Sequence, residues 1–353
     1  MRRGIIALAL MCTTASTMAA LSPAVVPEKV ITFKDWTVGC DNGLGCQAVA
    51  LMPESLPEGS LSIVLTRAEG LNGAFVIEMS GFTTKADRFR IVIDGRVADT
   101  GTMQVGSETI KVSGVDAMKL ARAMAKGRAL RLIDGSGTEL GTASLSGSAA
   151  AFRYADMAQG RAGSKGAIIA TGLKMATAKK TVLPVISAKK IKPTDILPDA
   201  AALVALSENS QCAAERFGPT EDSAYSLGTG PNGSQALVLL NCGSGAYNFS
   251  VGAYVGQQDG KGKWSFAPAS FDYAPYHLEE KSELALLVNA EWNAATQMLG
   301  GYSKGRGIGD CGSSQSYVWD GSMFRLTEAT AMQECRGSLD WIPVWRAEVK
   351  LVD

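Results

Sequence analysis

Side chains able to carry chemistry are few in this sequence. His277 is its single histidine. Any Ser-His-Asp or Cys-His arrangement must therefore use it, and no Gly-x-Ser-x-Gly elbow accompanies it. The paired carboxylates that glycoside hydrolysis needs without histidine have their best candidates in Asp310 and Asp320. Both lie in Lys304–Phe324, a run that gathers glycines, Cys311, Trp319 and an Asp-Gly pair. Gly305, Gly307, Gly309 and Gly312 alternate with Arg306, Ile308 and Asp310. Such spacing suits a tight irregular turn, with Arg306 and Asp310 at its crown and backbone N–H groups available to an anion. It is not a phosphate-binding P-loop, because no Gly-x-x-x-x-Gly-Lys-Ser/Thr is present. Arg306, Asp310, Trp319 and Asp320 are thus the candidate binding residues. No cofactor is expected, and no metal site: there is no Cys-x-x-Cys pair for zinc and no EF-hand pattern for calcium.

These residues need a scaffold, and the cysteines outline it. Met1 to Ala20 reads as a secretory signal, with Arg2 and Arg3, an apolar run, and small residues placing cleavage near Ala19 or Ala20. Its removal takes Cys12 and leaves six cysteines. An even count in an exported chain reads as disulfides, and local pairing predicts Cys40–Cys46, Cys212–Cys242 and Cys311–Cys335. No later stretch is long and apolar enough for a membrane helix. The expected location is periplasmic or secreted.

The length of 353 residues suits two domains. Residues 21–159 carry short strand signals at Ser62–Arg67, Ala74–Met79, Arg88–Asp94, Glu108–Val112, Ala129–Ile133 and Thr142–Ser146. Helices are expected over Ala117–Lys126, capped by Asp116, and over Ala149–Met157. Ala117, Leu120, Ala121 and Met124 share one helical face, as a core requires. Residues 160–194 read as a linker: 174–192 hold six lysines and no acid, with prolines beyond. Those lysines suit a solvated tether, or contact with anionic lipid, polysaccharide or the acidic second domain. Residues 195–353 form the second domain, with a second set of strand signals; within it, residues 200–353 hold 10 basic and 17 acidic residues. Asp320-Gly321 marks a hairpin there. The fold class is therefore mainly β: two β-rich domains of sandwich or barrel type, with a few short helices and local disulfides.

Several pieces resemble a bacterial family of exported proteins known as domain of unknown function 1176. They are Phe33, Trp36 and Cys40-Asp41-Asn42, then Asn241-Cys242 with Gly245 to Asn248. Gly305-Arg306-Gly307, Gly309 to Gly312, Trp319-Asp320-Gly321, Phe324, Cys335-Arg336-Gly337 and Trp341 to Arg346 complete them. The resemblance implies no activity, because that family has none established. The first domain also resembles invasion-associated locus B proteins through Asp35-Trp36, Cys40, Ser144-Leu145, Gly147 and Ala150-Ala151. That likeness implies an exported β-rich fold.

Five of the six tryptophans, Trp264, Trp292, Trp319, Trp341 and Trp345, fall in the second domain. Aromatic faces suit sugars and peptides, although most such rings fill β cores. The functional expectation is a non-enzymatic envelope protein that binds a glycan, peptide or protein partner, as a monomer or weak oligomer. The alternatives are a carboxylate-dependent hydrolase of envelope polymers and an adhesion or host-interaction factor. Nucleic acid is not an expected partner, since basic residues cluster only in the linker.

Overall fold

A computed structural model describes residues 25–55, 57–215, 222–278 and 282–353. The signal segment Met1 to Ala20 lies outside them. In chain order the first half contains β1 (Ile31–Phe33), β2 (Trp36–Cys40), β3 (Cys46–Ala50), β4 (Ser62–Arg67), β5 (Phe75–Ser80), β6 (Arg88–Ile93), β7 (Arg96–Thr102) and β8 (Thr109–Ser113). Then come α1 (Gly114–Met124), β9 (Ala129–Asp134), β10 (Glu139–Ser144) and α2 (Ser148–Ala158). Strands pair in the order β1-β2-β3-β4-β5-β8 in one open sheet and β10-β9-β6-β7 in another.

Alternation explains the first core. Phe75, Ile77 and Met79 of β5 point inward, and so do Ile63 and Leu65 of β4. Helix α1 buries Ala117, Leu120, Ala121 and Met124, the face expected from their spacing. It starts earlier than expected: Ser113 is the N-cap, without a side-chain bond, and Asp116 sits in the first turn paired with Lys119. Helix α2 sets Phe152 edge-on to Trp36, with ring centroids 5.2 Å apart. The indole N–H of Trp36 donates to the Ser144 carbonyl at 2.9 Å. Asp94-Gly95 turns the hairpin between β6 and β7, both residues having positive φ.

The second half contains β11 (Val185–Lys189), α3 (Ala200–Asn209), β12 (Ser223–Gly230), β13 (Gly233–Ser244), β14 (Phe249–Gln258), β15 (Trp264–Pro268), β16 (Tyr276–His277) and β17 (Ala285–Val288). It ends with β18 (Glu291–Asn293), β19 (Met298–Lys304), β20 (Gly312–Trp319), β21 (Phe324–Met332), β22 (Ile342–Arg346) and β23 (Glu348–Val352). One sheet runs β12-β13-β14-β17-β16, with β15 also on β14, and another runs β18-β19-β20-β21-β22. Among the described residues the protein is mainly β, with three short α-helices, and none of the sheets closes into a barrel. All three local disulfides are formed.

The two halves share a core. Strands β2 and β3 are buried along almost their whole length, including residues on both faces. Trp36, Val38, Ala48 and Ala50 belong to the first core, while Val49 and Leu51 pack with Leu326, Ile342 and Val344 from the second half. Gly39 is required here: a Cβ on it would stand 2.9 Å from the Ile342 side chain. Polar bonds fasten the same seam. Arg346 Nε donates to Asp41 Oδ2 at 2.5 Å. Asn42 exchanges two bonds with the Arg346 backbone. Arg336 reaches Asp35 at 2.9 Å and the Met52 carbonyl at 2.8 Å.

Residues 160–194, expected as a solvated tether, carry structure at both ends. Asp156 is buried and accepts the N–H groups of Ile168, Ile169 and Ala170. Arg161 is buried too and donates to Gln159 and to the carbonyls of Gly70 and Leu71. A run poor in large apolar residues is here held by polar groups of the neighbouring helix. Further on, β11 pairs parallel with β23, Val185 opposite Glu348. Residues 345–352 carry one continuous strand signal in the sequence but form parts of two strands, because the chain leaves β21 after Arg346 to join β11.

Candidate functional site

The run that holds the candidate residues folds as expected locally, and the fold then separates them. Gly305 N–H donates to the Cys311 carbonyl at 2.8 Å, closing the glycine-rich turn. Within it Asp310 is 1 % exposed, binds Arg306 through two hydrogen bonds, and accepts Gly337 N–H at 2.6 Å. The hydrogen bonds from Arg306 hold the Asp310 carboxyl below the usual carboxylate range. Cys311 and Cys335 tie the same two segments covalently.

Asp320 sits past the other end of β20. Spanning that strand puts roughly 25–30 Å between the two carboxyl groups, whereas glycosidase pairs need about 5–9.5 Å. Asp320 turns the β20–β21 hairpin, accepting Ser322 and Met323 N–H, and pairs with Arg325 at 2.7 Å. Arg325 also approaches Asp272 at 3.8 Å. Burial pushes the Asp272 carboxyl up. His277 lies exposed in the two-residue strand β16.

Trp319 leads to the most developed site. It is 3 % exposed, tilted against Phe324 at 5.0 Å between ring centroids, and with Leu227 and Ile191 it floors a cleft of about 390 Å³. Lys189, Lys190 and Lys192 line this cleft, as do Gln235 and Asp353. The connector lysines are thus delivered onto the second half. None of the three lies within ion-pair distance of a carboxylate among the described residues.

The lysine segment is clamped at every turn. Lys190 N–H donates to the Val352 carbonyl at 2.8 Å. Gln297 binds both backbone groups of Ile191, accepting its N–H at 3.2 Å and donating to its carbonyl at 3.0 Å. Ser226 Oγ accepts the N–H groups of Thr194 and Gly228. A bulge in β12 at Gly228, φ +82°, lets the strand approach the Lys192 backbone. A Cβ at 228 would stand 3.1 Å from the Lys192 carbonyl oxygen.

Fixed backbone beneath three exposed ammonium groups gives a preset cationic rim over an apolar floor. Such a surface holds carboxylate or phosphate by charge and an apolar body by burial. Sequence reasoning found Trp319 and the lysines separately. It missed Leu227 and Gln235, signalled only by the Gly-x-Gly-Pro turn from Gly228 to Pro231 between them, and Gln297, which that turn does not reach.

The family model described as "Protein of unknown function (DUF1176)" matches residues 30–348. A relative described as "Uncharacterized protein YpfG", from Escherichia coli strain K12, is 26% identical over 331 residues, covering 89% of this chain and 91% of its own length. No solved structure matches. Neither match bears on the likeness to invasion-associated locus B proteins.

Proposed function

The chain belongs to the DUF1176 family, and we propose for it a binding role: it takes an anionic ligand with an apolar portion into the lysine cleft over Trp319. The observation that carries this reading is the three lysines, without an ion-pair partner among the described residues, set on a clamped backbone above Ile191, Leu227 and Trp319. Three disulfides suit an oxidising compartment, and among the described residues no helix is long and apolar enough to cross a membrane. An acidic glycan or peptide of the cell envelope is the ligand class that joins this chemistry to export. A hydrolase built on Asp310 would need a second carboxylate beside it, and the groups that hold it are Arg306 and the Gly337 backbone.

Titration with an oligogalacturonide and with a phosphorylated glycolipid, followed by tryptophan fluorescence at low and high salt, tests the proposal. Binding of either, weakened by salt and weakened roughly tenfold or more when Lys189, Lys190 and Lys192 are all changed to Gln, is expected. No binding of either probe, or equal affinity in the triple variant, refutes it.

A further inference from the structure

A second groove has the opposite chemistry. It runs between α3 and the β14–β15 hairpin, encloses about 450 Å³, and has no charged residue in its lining. One wall is the Ala202, Leu206 and Asn209 side of α3. The other is β15, where Trp264 and Phe266 stand two residues apart and so project to one side. Their rings are nearly parallel, 13° between planes and 6.3 Å between centroids. Gly256 on β14 makes room for them, since a Cβ there would stand 2.8 Å from the Phe266 ring and 3.1 Å from that of Trp264. Both rings remain half-exposed.

Tyr254 also lines the groove and is 4 % exposed. Its hydroxyl is buried without a hydrogen bond of acceptable geometry, although Ser210 and the Gln211 backbone lie close enough to offset part of its burial. A buried hydroxyl so weakly held favours a polar ligand atom that reaches it. Asn209 keeps its side-chain oxygen available, its amide nitrogen donating to the Ala205 carbonyl at 2.8 Å.

We propose that this groove binds a neutral saccharide, with sugar rings laid on Trp264 and Phe266 and their hydroxyls meeting Tyr254, Asn209 and Gln211. A flat aromatic platform accepts the C–H face of a sugar, and amides and hydroxyls pair with its edge. The lack of charge in the lining selects against acidic ligands and separates this site from the lysine cleft. It rests on different residues and stands whether or not that cleft binds an anion.

Calorimetric titration of the full chain with chitotetraose, cellotetraose and maltotetraose tests it. At least one is expected to bind with Kd of about 1 mM or tighter. Trp264→Ala should weaken that binding about tenfold and Tyr254→Phe about threefold. Trp264→Phe, which keeps a ring, should stay within about threefold and serves where the alanine variant fails to fold. The lysine triple variant should bind the sugar as the parent does. No heat with any of the three sugars, affinity unmoved by Trp264→Ala and Tyr254→Phe, or loss of sugar binding in the lysine variant would each overturn the assignment.

Discussion

The seam between the halves and the lysine cleft are both rich in charge, yet they treat it oppositely. At the seam Asp41 faces Arg346, Asp35 faces Arg336, and Asp310 holds Arg306 close by. Asp41 and Asp310 are almost fully buried there, and backbone N–H groups take their remaining lone pairs. In the cleft the lysine backbone is fixed and the ammonium groups are left without protein partners among the described residues. Charge satisfied inside the fold holds the fold together. Charge left over on a rigid rim is available to something else.

The sharpest way to break this contrast is Asp41→Ala. It strips a partner from Arg346 and an acceptor from Gly43 and Gly45 N–H. A stability loss of about 3 kcal/mol in urea denaturation is expected, with anion affinity in the cleft unchanged. A matching drop in affinity would show that seam and cleft are one device.

Asp310→Asn comes next, at about 1–3 kcal/mol. Its pH dependence follows from the sign of the shift. Arg306 holds the folded-state Asp310 carboxyl low, so the unfolded chain takes up the proton first as pH falls. The contribution is whole above the ordinary carboxylate value of about 3.9 and is lost as pH drops through the lower folded value. The variant should therefore show a shallower loss of stability below about pH 4 in acid titrations followed by circular dichroism. An unchanged acid limb would mean that Asp310 contributes no charge-dependent stability.

The smallest expected effect on folding is that of changing Lys189, Lys190 and Lys192 to Gln, within about 0.5 kcal/mol. A larger loss would move these lysines to the structural side of the comparison.

Much of the seam was present in the sequence under another guise. The pieces that carried the family resemblance include Cys40-Asp41-Asn42, Asp310, Arg336-Gly337 and Arg346; Asp41, Asn42 and Arg336 make contacts between the halves, and Asp310 holds Gly337 next to Arg336. Local signals were readable because disulfide spacing, Asp-Gly turns and the α1 face each depend on neighbours in sequence. The pairing of β11 with β23 was not readable, since a lysine-rich run gives no sign of a strand far along the chain. The cleft was hidden for the same reason. Its rim, its bulge at Gly228 and its clamp at Gln297 come from three separated segments, and no periodicity links them. Trp264 and Phe266 could be counted in advance as aromatic load, but only the room above Gly256 shows which rings keep a face open.

Val185 opposite Glu348 also sets an order of events. The partner of β11 is synthesised roughly 160 residues later, and contacts so distant in sequence are slow to form. Until β23 arrives the Lys190 N–H has no carbonyl to meet, and the stretch ahead of the cleft waits without its edge. A chain stalled before residue 348 would carry every disulfide cysteine and most of the sheets, yet present its lysines on a loose cord instead of a fixed ledge.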